Sequence, residues 1–409
     1  MFTFIHSADW QLGARFRQFG SKAGRLREAR LTTLKRALDL ARDRSVDAFL
    51  IAGDLFEDNQ VDEALITAVV DLFASFPSVQ IYLLPGNHDP ASGPDSVWLR
   101  KPFLRAPSHV HVLTQAGAFD LGGAWLVASP LEQKISTIDP SLKLVDLAAK
   151  LPADAIKIGL THGALAIEGK HQPNDFPISL TAATRAGLDY LGIGHWHNWL
   201  AETDQGRLVM PGTPEPDQFD HERCGQVAFV EISGPGVPPK IQPLPVATLT
   251  WKALSFDFLA EDASRTTLAQ ELASLTPQAK DTVVRVTLSG TASPKQQAEV
   301  RSWLDATLAT FLVGQVSDNT SVALSAVELE ELRANHPILA QVLADIGQLE
   351  FLATGRASSL PQPEGTEPLS LAEAQALLAP AKIDLTKLTG AHLAHTRQVL
   401  LQTMQEVAP

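Results

Sequence analysis

The sequence predicts an α/β protein built in layers, followed by a smaller α+β unit and a helical region. Over residues 1–235, short apolar β-type runs alternate with segments of helical period, and a Pro/Gly-rich stretch at 234–239 then breaks the pattern. A length of 409 residues suggests two or three domains, at about 150 residues each. Hydrophobic residues make up 45% of the chain, which is enough to build a full core.

Seven strands are predicted in this first part from short apolar runs. They are Met1–Ala8, Asp47–Ala52, Val79–Leu84, Trp125–Ser129, Ile156–Thr161, Tyr190–Ile193 and Gln226–Ile232. A helix is predicted between the first two strands, because Leu31, Leu34, Leu38 and Ala41 recur at spacings of three and four. A second helix is predicted from Val61 to Phe73.

The rest of the chain is predicted to hold several smaller pieces. Residues 246–325 indicate a small α+β domain, in which strand Thr282–Leu288 and helix Pro294–Leu312 are clearest, and 326–354 indicate a helical segment running from Val327 to about Leu352. Residues 355–370 have the composition of a flexible linker. Residues 371–409 indicate helices, whose apolar stripe either packs within the protein or docks on a partner helix. That stripe is Leu393, Leu400, Met404 and Val407.

Charge and cysteine content narrow the class of protein. A formal net charge of −13 argues against coating nucleic acid by bulk electrostatics, so a polyanionic substrate needs a local basic patch or metal ions. Cys224 is the single cysteine, which indicates an ordinary packed or surface residue and a reducing compartment. No signal peptide and no long apolar run is visible, so we expect a cytoplasmic protein without a membrane anchor.

Five short polar clusters stand at the ends of apolar β-type runs. They are Asp9-Trp10-Gln11, Gly53-Asp54, Gly86-Asn87-His88-Asp89, His162-Gly163 and Gly194-His195-Trp196-His197. Because the carboxyl ends of strands in an open α/β sheet meet at one edge, these side chains are expected to surround one small volume. Their oxygen and imidazole ligands suit Mn²⁺, Fe²⁺ or Zn²⁺ and are too many for one ion. Two metals roughly 3.5–4 Å apart can clamp a phosphate and activate water, which indicates phosphoester hydrolysis.

The order and spacing of these motifs resemble the calcineurin-like metallophosphoesterases. The resemblance covers residues 1–235, and within that superfamily the chain is most similar to DNA-repair nucleases of the SbcD type. Three stretches carry this narrower likeness: HSADWQLG at 6–13, LPGNHDP at 84–90 and MPGTPEPDQFDHERCGQVAFVEI at 210–232. It implies a layered metallophosphoesterase sandwich with a capping domain at 246–325 and a C-terminal region that binds a partner.

The resemblance also implies roles for individual residues. One metal would be held by Asp9, Gln11, Asp54 and His197, and the other by Asp54, Asn87, His162 and His195. His88 would protonate the departing oxygen or stabilise the transition state, with Asp89 orienting it. The first motif usually reads D-x-H, whereas here Gln11 offers a neutral amide, so we expect that metal to be held more loosely.

Basic and aromatic residues near these motifs are candidates for binding substrate. Residues 15–36 carry eight Lys or Arg and a single acid, and Arg15 and Arg17 stand nearest the first motif. They would neutralise phosphates, unless they form a solvated helix face. Trp10, Trp196 and Trp199 would stack on bases, although packing behind the site is the more ordinary role of each. His171 and His221 follow site segments and are candidates for touching substrate; the remaining histidines outside the motifs are expected to be ordinary.

The function predicted from the sequence is a Mn²⁺-dependent DNA nuclease subunit, with Mg²⁺, Fe²⁺ and Zn²⁺ as alternative ions. By resemblance it would act as a homodimer with an SbcC-type ATPase of the SMC class, in DNA repair or end processing. Two alternatives stay open. One is a phosphodiesterase acting on small nucleotides, and the other is a DNA-end-binding subunit that Gln11 leaves catalytically weak.

Overall fold

The structure is a computed structural model that describes residues 1–169, 172–221, 223–322, 334–354 and 369–381, with 383–384, 387–389, 392–393 and 396. The chain forms two compact units, Met1–Trp251 and Lys252–Pro409. The strands of the first unit are β1 (Phe2–Ser7), β2 (Ala48–Ala52), β3 (Ile81–Leu84), β4 (Val110–Val112), β5 (Gly117–Asp120), β6 (Trp125–Ser129), β7 (Lys157–His162), β8 (Tyr190–Gly194), β9 (Leu200–Thr203), β10 (Leu208–Met210), β11 (Gln226–Ile232) and β12 (Lys240–Pro245). Its helices are α1 (Ala23–Asp43), α2 (Glu63–Ala74), α3 (Lys101–Leu104), α4 (Leu142–Ala148) and α5 (Ala182–Arg185).

Two sheets of six strands each organise the described part of the first unit. The first has the order β12-β11-β1-β2-β3-β4, and the second has the order β5-β6-β7-β8-β10-β9. Strands β1 to β4 are mutually parallel, as are β6, β7, β8 and β10. Parallel central strands are buried on both faces, which explains uninterrupted apolar runs such as AFLIA in β2.

Three apolar clusters show that the first unit is layered. One packs α1 and α2 on the first sheet and includes Leu34 and Phe73. Another lies between the two sheets and joins Phe4 to Leu126 and Ile158. The third covers the far face of the second sheet with α4 and α5. The α/β layered fold class predicted from the sequence is therefore confirmed.

The second unit has its own core. Strand β13 (Thr250–Asp257) begins in the last residues of the first unit, and the elements that follow are α6 (Glu261–Leu275), β14 (Thr282–Ser289), β15 (Thr291–Ala292), α7 (Pro294–Leu308), β16 (Val313–Asp318), β17 (Ser321–Val322), α8 (Pro337–Thr354) and α9 (Leu371–Leu378). Apolar side chains of α6 and α7, such as Leu268 and Leu304, pack with Val286 of β14. In the described residues, no helix is long and apolar enough to cross a membrane.

Some element boundaries differ from the expectations. Helix α7 ends at Leu308 rather than Leu312, because Phe311 and Leu312 are buried in the turn that leads into β16. The predicted 326–354 helix is represented by α8, since 323–333 lie outside the described residues, as do 355–368 of the proposed linker. Of the predicted C-terminal stripe, Leu393 packs with Ile346, Leu349 and Ala374, whereas Leu400, Met404 and Val407 lie outside the described residues.

Candidate metal centre

The polar clusters come together because five parallel strands end at the same side of the two sheets. Asp9, Asp54 and Asn87 follow β1, β2 and β3 of the first sheet. His162 ends β7, and His195 follows β8 in the second sheet. The carboxyl ends of these strands therefore form the walls of one site.

The centre of the site consists of Asp9, Asp54 and His162. One ligand atom from each lies within 4.8 Å of the others. All three are buried, with exposed fractions of 0%, 1% and 0%. His162 Nε2 is 3.4 Å from Asp54 Oδ2, and Nδ1 donates to the carbonyl of Ala52 at 2.8 Å. Nε2 of His162 is therefore the ring nitrogen that faces the carboxylates.

Asn87 and His195 close one side of this centre. The Asn87 Oδ1 atom lies 2.8 Å from His162 Nε2 and 3.1 Å from His195 Nδ1. The backbone N–H of His195 donates to both carboxylate oxygens of Asp9, at 2.9 and 3.0 Å. Residues expected from the resemblance to share one metal therefore lie in mutual contact.

Gln11 and His197 lie together on the other side. The amide Nε2 of Gln11 is 3.1 Å from Nε2 of His197, and the backbone N–H of Gln11 donates to the carbonyl of Asp54 at 2.9 Å. Thr213 Oγ1 donates to the carbonyl of Asp9 at 2.9 Å. The structure thus brings all seven expected metal ligands to this one site.

The backbone around the site adopts conformations that L-residues rarely take. Asp9, Gln11, Asp54 and His195 have φ of 56°, 40°, 53° and 118°. Such strained residues persist where the surrounding structure over-determines them, and they cluster at functional sites. Gly86 allows a close approach of the backbone to Asp54, because a Cβ there would lie 2.1 Å from Asp54 Oδ1.

The charges at the centre perturb one another's protonation. Burial raises the pKa of Asp9, although His162 and His197 oppose this effect. Burial also disfavours the charged form of Asp54, yet His162 and His88 keep the pKa of Asp54 below its usual value. His162 has a pKa of about 9, since the carboxylates of Asp54 and Asp9 outweigh the lowering by burial.

These residues fit divalent metal ions. Two buried carboxylates beside three imidazoles and two amides form the oxygen and nitrogen donor set that Mn²⁺, Fe²⁺ or Zn²⁺ accepts. Buried charges of this kind are normally paired or coordinate metals. Asp54 contacts both groups, His162 through its carboxylate at 3.4 Å and Gln11 through its backbone carbonyl at 2.9 Å, which suits the bridging role that the resemblance implies.

His88 and Asp89 do not form the pair expected from the sequence. Asp89 Oδ1 and Oδ2 accept hydrogen bonds from the backbone N–H groups of Gly86 and Phe56, at 2.7 and 3.0 Å. His88 Nδ1 instead bonds the carbonyl of Glu57 at 2.8 Å, and its backbone N–H donates to Asp54 Oδ1 at 2.9 Å. In the structure Asp89 therefore fixes the loop backbone, and the backbone carbonyl of Glu57, rather than Asp89, contacts the imidazole.

Two carboxylates of the site were not found from the sequence. Asp175 Oδ2 lies 2.9 Å from His195 Nε2, the nitrogen opposite the one that faces Asn87. Asp217 Oδ1 lies 2.8 Å from His221 Nδ1 and 3.5 Å from His197 Nδ1. Among the described residues, His197, Asp217 and His221 form a second group whose ligand atoms lie within 4.8 Å of one another.

Of the candidate substrate-binding residues, the two arginines are exposed at the surface and Trp10 is buried. Arg15 and Arg17 are exposed, and Arg15 lines a 530 Å³ cleft with Arg27, Asp58 and Asp62. Trp10 is 0% exposed and donates from Nε1 to Ser7 Oγ at 3.0 Å. The ring of Trp10 therefore belongs to the core, which is the more ordinary of the two roles considered, and it is not exposed for stacking on a base.

Three further residues from the predicted substrate-binding set or the basic stretch are buried or half-buried. Trp196 and Trp199 are half-buried and pack against apolar clusters of the first unit. Arg30, within the basic stretch, is 1% exposed and cannot belong to a solvated helix face. His171 lies outside the described residues.

Comparison with known proteins defines the class of this domain. Residues 2–199 match the model of the calcineurin-like phosphoesterase family. Residues 2–199 therefore resemble a calcineurin-like metallophosphoesterase domain, and the matched family indicates hydrolysis of phosphoesters with divalent metal ions. The chain is also similar to the uncharacterized metallophosphoesterase YhaO of Bacillus subtilis (strain 168). The two are 23% identical over 320 residues, covering 71% of this chain and 72% of that protein.

Proposed function

We propose that this protein is a Mn²⁺-dependent DNA nuclease subunit that hydrolyses phosphodiester bonds. The convergence of Asp9, Asp54 and His162 with their ligand atoms within 4.8 Å of one another carries the hydrolytic part of the proposal. Asp9, Gln11, Asp54 and His197 would hold one ion, and Asp54, Asn87, His162 and His195 the other. When bound, two such ions clamp a phosphate and activate a water for attack.

His88 is the residue best placed to protonate the leaving oxygen. Its Nδ1 is engaged by the carbonyl of Glu57 at 2.8 Å, so Nε2 is the nitrogen left for the substrate. Its backbone is tied to Asp54 at 2.9 Å, which places the imidazole beside the metal ligands without making it one. A positioned imidazole of this kind contributes roughly 10²–10⁴-fold to the rate of such reactions.

The DNA part of the proposal rests on local positive charge in an acidic protein. The net charge is −13, yet Arg15, Arg17, Lys22 and Arg27 are exposed on the segment that leaves the site after Gln11. Backbone pairing of Leu12 with Phe56 ties the start of that segment to the loop after β2. Exposed cations next to a phosphoesterase centre favour a long polyanion over a small ester.

Acidic residues beside the cleft favour a second candidate. Glu28, Asp58 and Asp62 line the 530 Å³ cleft together with Arg15, and they would repel a polyanion laid along it. A phosphodiesterase for small nucleotides would tolerate this mixed lining.

A comparison of substrates tests the proposal. Purified protein with Mn²⁺ is incubated with labelled linear DNA, a cyclic dinucleotide and a generic phosphodiester reporter. We expect DNA degradation that falls by at least 10²-fold in His88→Ala, with Mn²⁺ binding unchanged. Turnover of the small esters alone would support the second candidate, and DNA binding without turnover would identify a non-catalytic end-binding subunit.

We further propose that the protein works with an SMC-type ATPase and as a homodimer. Helix α8 exposes Ile338, Val342 and Phe351, with exposed fractions of 79%, 39% and 49%, and Leu371 of α9 is 66% exposed. These apolar side chains are available to a helical partner. Leu371 belongs to the expected partner-binding region at 371–409, and the three residues of α8 would extend that region into the 326–354 segment.

A further inference from the structure

Asp217 is a largely buried carboxylate with three charged or titratable neighbours. Its Oδ2 lies 3.1 Å from Arg30 Nη2. Its Oδ1 lies 2.8 Å from His221 Nδ1 and 3.5 Å from His197 Nδ1. One carboxylate oxygen therefore contacts the guanidinium of Arg30, and the other faces the imidazoles of His221 and His197.

Arg30 fixes this carboxylate from inside the fold. It projects from α1, is 1% exposed, and donates from Nη1 to the carbonyl of Trp10 at 2.6 Å. Trp10 stands between Asp9 and Gln11 in the first motif. The guanidinium thus connects the backbone of that motif to the carboxylate behind His197.

The contacts of His197 favour one of its two neutral tautomers. Its Nε2 lies 3.1 Å from the Gln11 amide nitrogen, which can only donate. A neutral imidazole that accepts at Nε2 carries its proton at Nδ1, and Nδ1 is the atom that faces Asp217. In this tautomer the Nε2 lone pair is the one that a cation beside Gln11 would take.

We propose that Asp217 is a positioning residue, held by Arg30, which keeps the His197 ring turned so that Nε2 is presented to the divalent cation beside Gln11. The proposal rests on the proposed metal-dependent function. Carboxylates that accept the distal N–H of a ligand imidazole commonly set its orientation, and their loss weakens metal affinity by 10–100-fold. Asp175 makes a shorter contact of this kind with His195 Nε2, at 2.9 Å, whereas Asp217 Oδ1 lies 3.5 Å from His197 Nδ1.

The group His197, Asp217 and His221 is accordingly not itself a cation site. The Arg30 guanidinium lies 3.1 Å from Asp217 and repels a cation placed there. The Nδ1 proton of His197 also leaves that nitrogen without a lone pair for a metal.

Calorimetric titration with Mn²⁺ alone tests the proposal without relying on activity. We expect two sites in the unmodified protein, and in Asp217→Asn a weaker site whose affinity is lower by about 10–100-fold. Asp220→Asn, the same change at an exposed position of the same loop, is the matched control and should bind Mn²⁺ normally. His221→Gln should also leave both affinities unchanged; a loss equal to that of Asp217→Asn would show His221 to be a ligand and overturn the proposal.

Because Asp217→Asn leaves Arg30 buried without its partner, a second measurement uses the unmodified protein. Long-range ¹H–¹⁵N spectra of the metal-free chain, with His197→Gln to assign the signal, should show His197 protonated at Nδ1. Protonation at Nε2 would overturn the proposal. If the unmodified protein binds no Mn²⁺ the proposed function fails, whereas two sites unaffected by Asp217→Asn contradict the positioning role alone.

Discussion

Gln11 is one of two neutral amides among the expected metal ligands, and its partner at the site is His197, 3.1 Å away. Asp9 and Asp54 supply negative charge to the same position, and both are almost fully buried. An imidazole in place of the amide would be a stronger ligand for a first-row metal. The affinity of the cation beside Gln11 is therefore expected to be limited by this residue.

We predict that Gln11→His raises the affinity of the weaker Mn²⁺ site by about tenfold, equivalent to about 1.4 kcal/mol. Calorimetric titration measures the change directly. Gln18→His, the same substitution at an exposed position, is the control. Unchanged or weaker Mn²⁺ binding in Gln11→His would remove Gln11 from the ligand set.

His6 is a buried histidine outside the metal centre. Its Nδ1 lies 2.8 Å from the Tyr190 hydroxyl, between the two sheets. Burial lowers the pKa of His6 from 6.5 to about 3. Below pH 6.5 the unfolded chain takes up a proton that the folded protein refuses, so the free energy of unfolding decreases as the pH falls toward 3.

We predict that His6 contributes a slope of up to about 1.4 kcal/mol per pH unit in this interval. His6→Asn retains an acceptor for the Tyr190 hydroxyl but cannot be protonated, so its unfolding free energy should fall less steeply. Urea denaturation between pH 6.5 and 4.5 measures both slopes. His336→Asn, at an exposed histidine, should keep the full slope; equal slopes in His6→Asn and the unmodified protein would refute the assignment.

At the level of elements, site residues that directly follow a strand could be predicted from the sequence, whereas those further along the loops could not. The apolar runs of β2 and β7 stop at a polar residue and a glycine, which marks the end of each strand in the sequence. Asp54 and His162 could therefore be placed at those ends. Asp217 follows β10, a strand of only Leu208–Met210 that leaves too short a pattern to recognise. Asp175 lies in the loop after β7, far enough from the strand end that its contact with His195 needs the tertiary fold.

We predict that Gly86→Ala damages the metal centre through the backbone after β3. Its Cβ would lie 2.1 Å from Asp54 Oδ1 and 2.5 Å from the Asp54 backbone nitrogen, so Asp54 must move. Overpacking of this kind costs about 1–3 kcal/mol. We expect a lower melting temperature and at least tenfold weaker Mn²⁺ binding.

Gly24→Ala provides the comparison for this substitution. Gly24 lies in α1, and the nearest atom to its added Cβ is 4.0 Å away. Alanine there should stabilise the helix by about 0.5–1 kcal/mol. If Gly86→Ala behaved like Gly24→Ala in both measurements, the tight approach of Gly86 to Asp54 would have no functional meaning.

At the scale of the whole molecule, the expected metal ligands and the partner-binding candidates lie in different compact units. Every expected metal ligand belongs to Met1–Trp251, and the exposed apolar side chains of α8 and α9 belong to Lys252–Pro409. The similarity to YhaO covers 71% of the chain, a longer span than the first unit. The alternation of strands and helices predicted the layered fold of the first unit, because parallel strands need helical crossovers.

We predict that removing the chain after Gly365 leaves phosphodiester hydrolysis within about twofold of the full-length rate, because no expected ligand is lost. Binding to an SMC-type ATPase should weaken at least tenfold, as measured by co-purification and by titration of the two proteins. Full-stoichiometry co-purification of the shortened chain would contradict a C-terminal partner-binding region.

The metal centre draws four of its seven expected ligands from the first sheet and three from the second, so it forms only late in biosynthesis. Asp9, Asp54 and Asn87 leave the ribosome well before His162, His195 and His197, and they cannot form the site until the later sheet has docked on the earlier one. Such non-local pairing is slow, because the chain loses entropy on closing a long loop before the stabilising contacts form. A nascent chain should therefore acquire its tight cation affinity abruptly, after the segment through His197 has emerged, so that uptake of the ion reports completed assembly of the first unit.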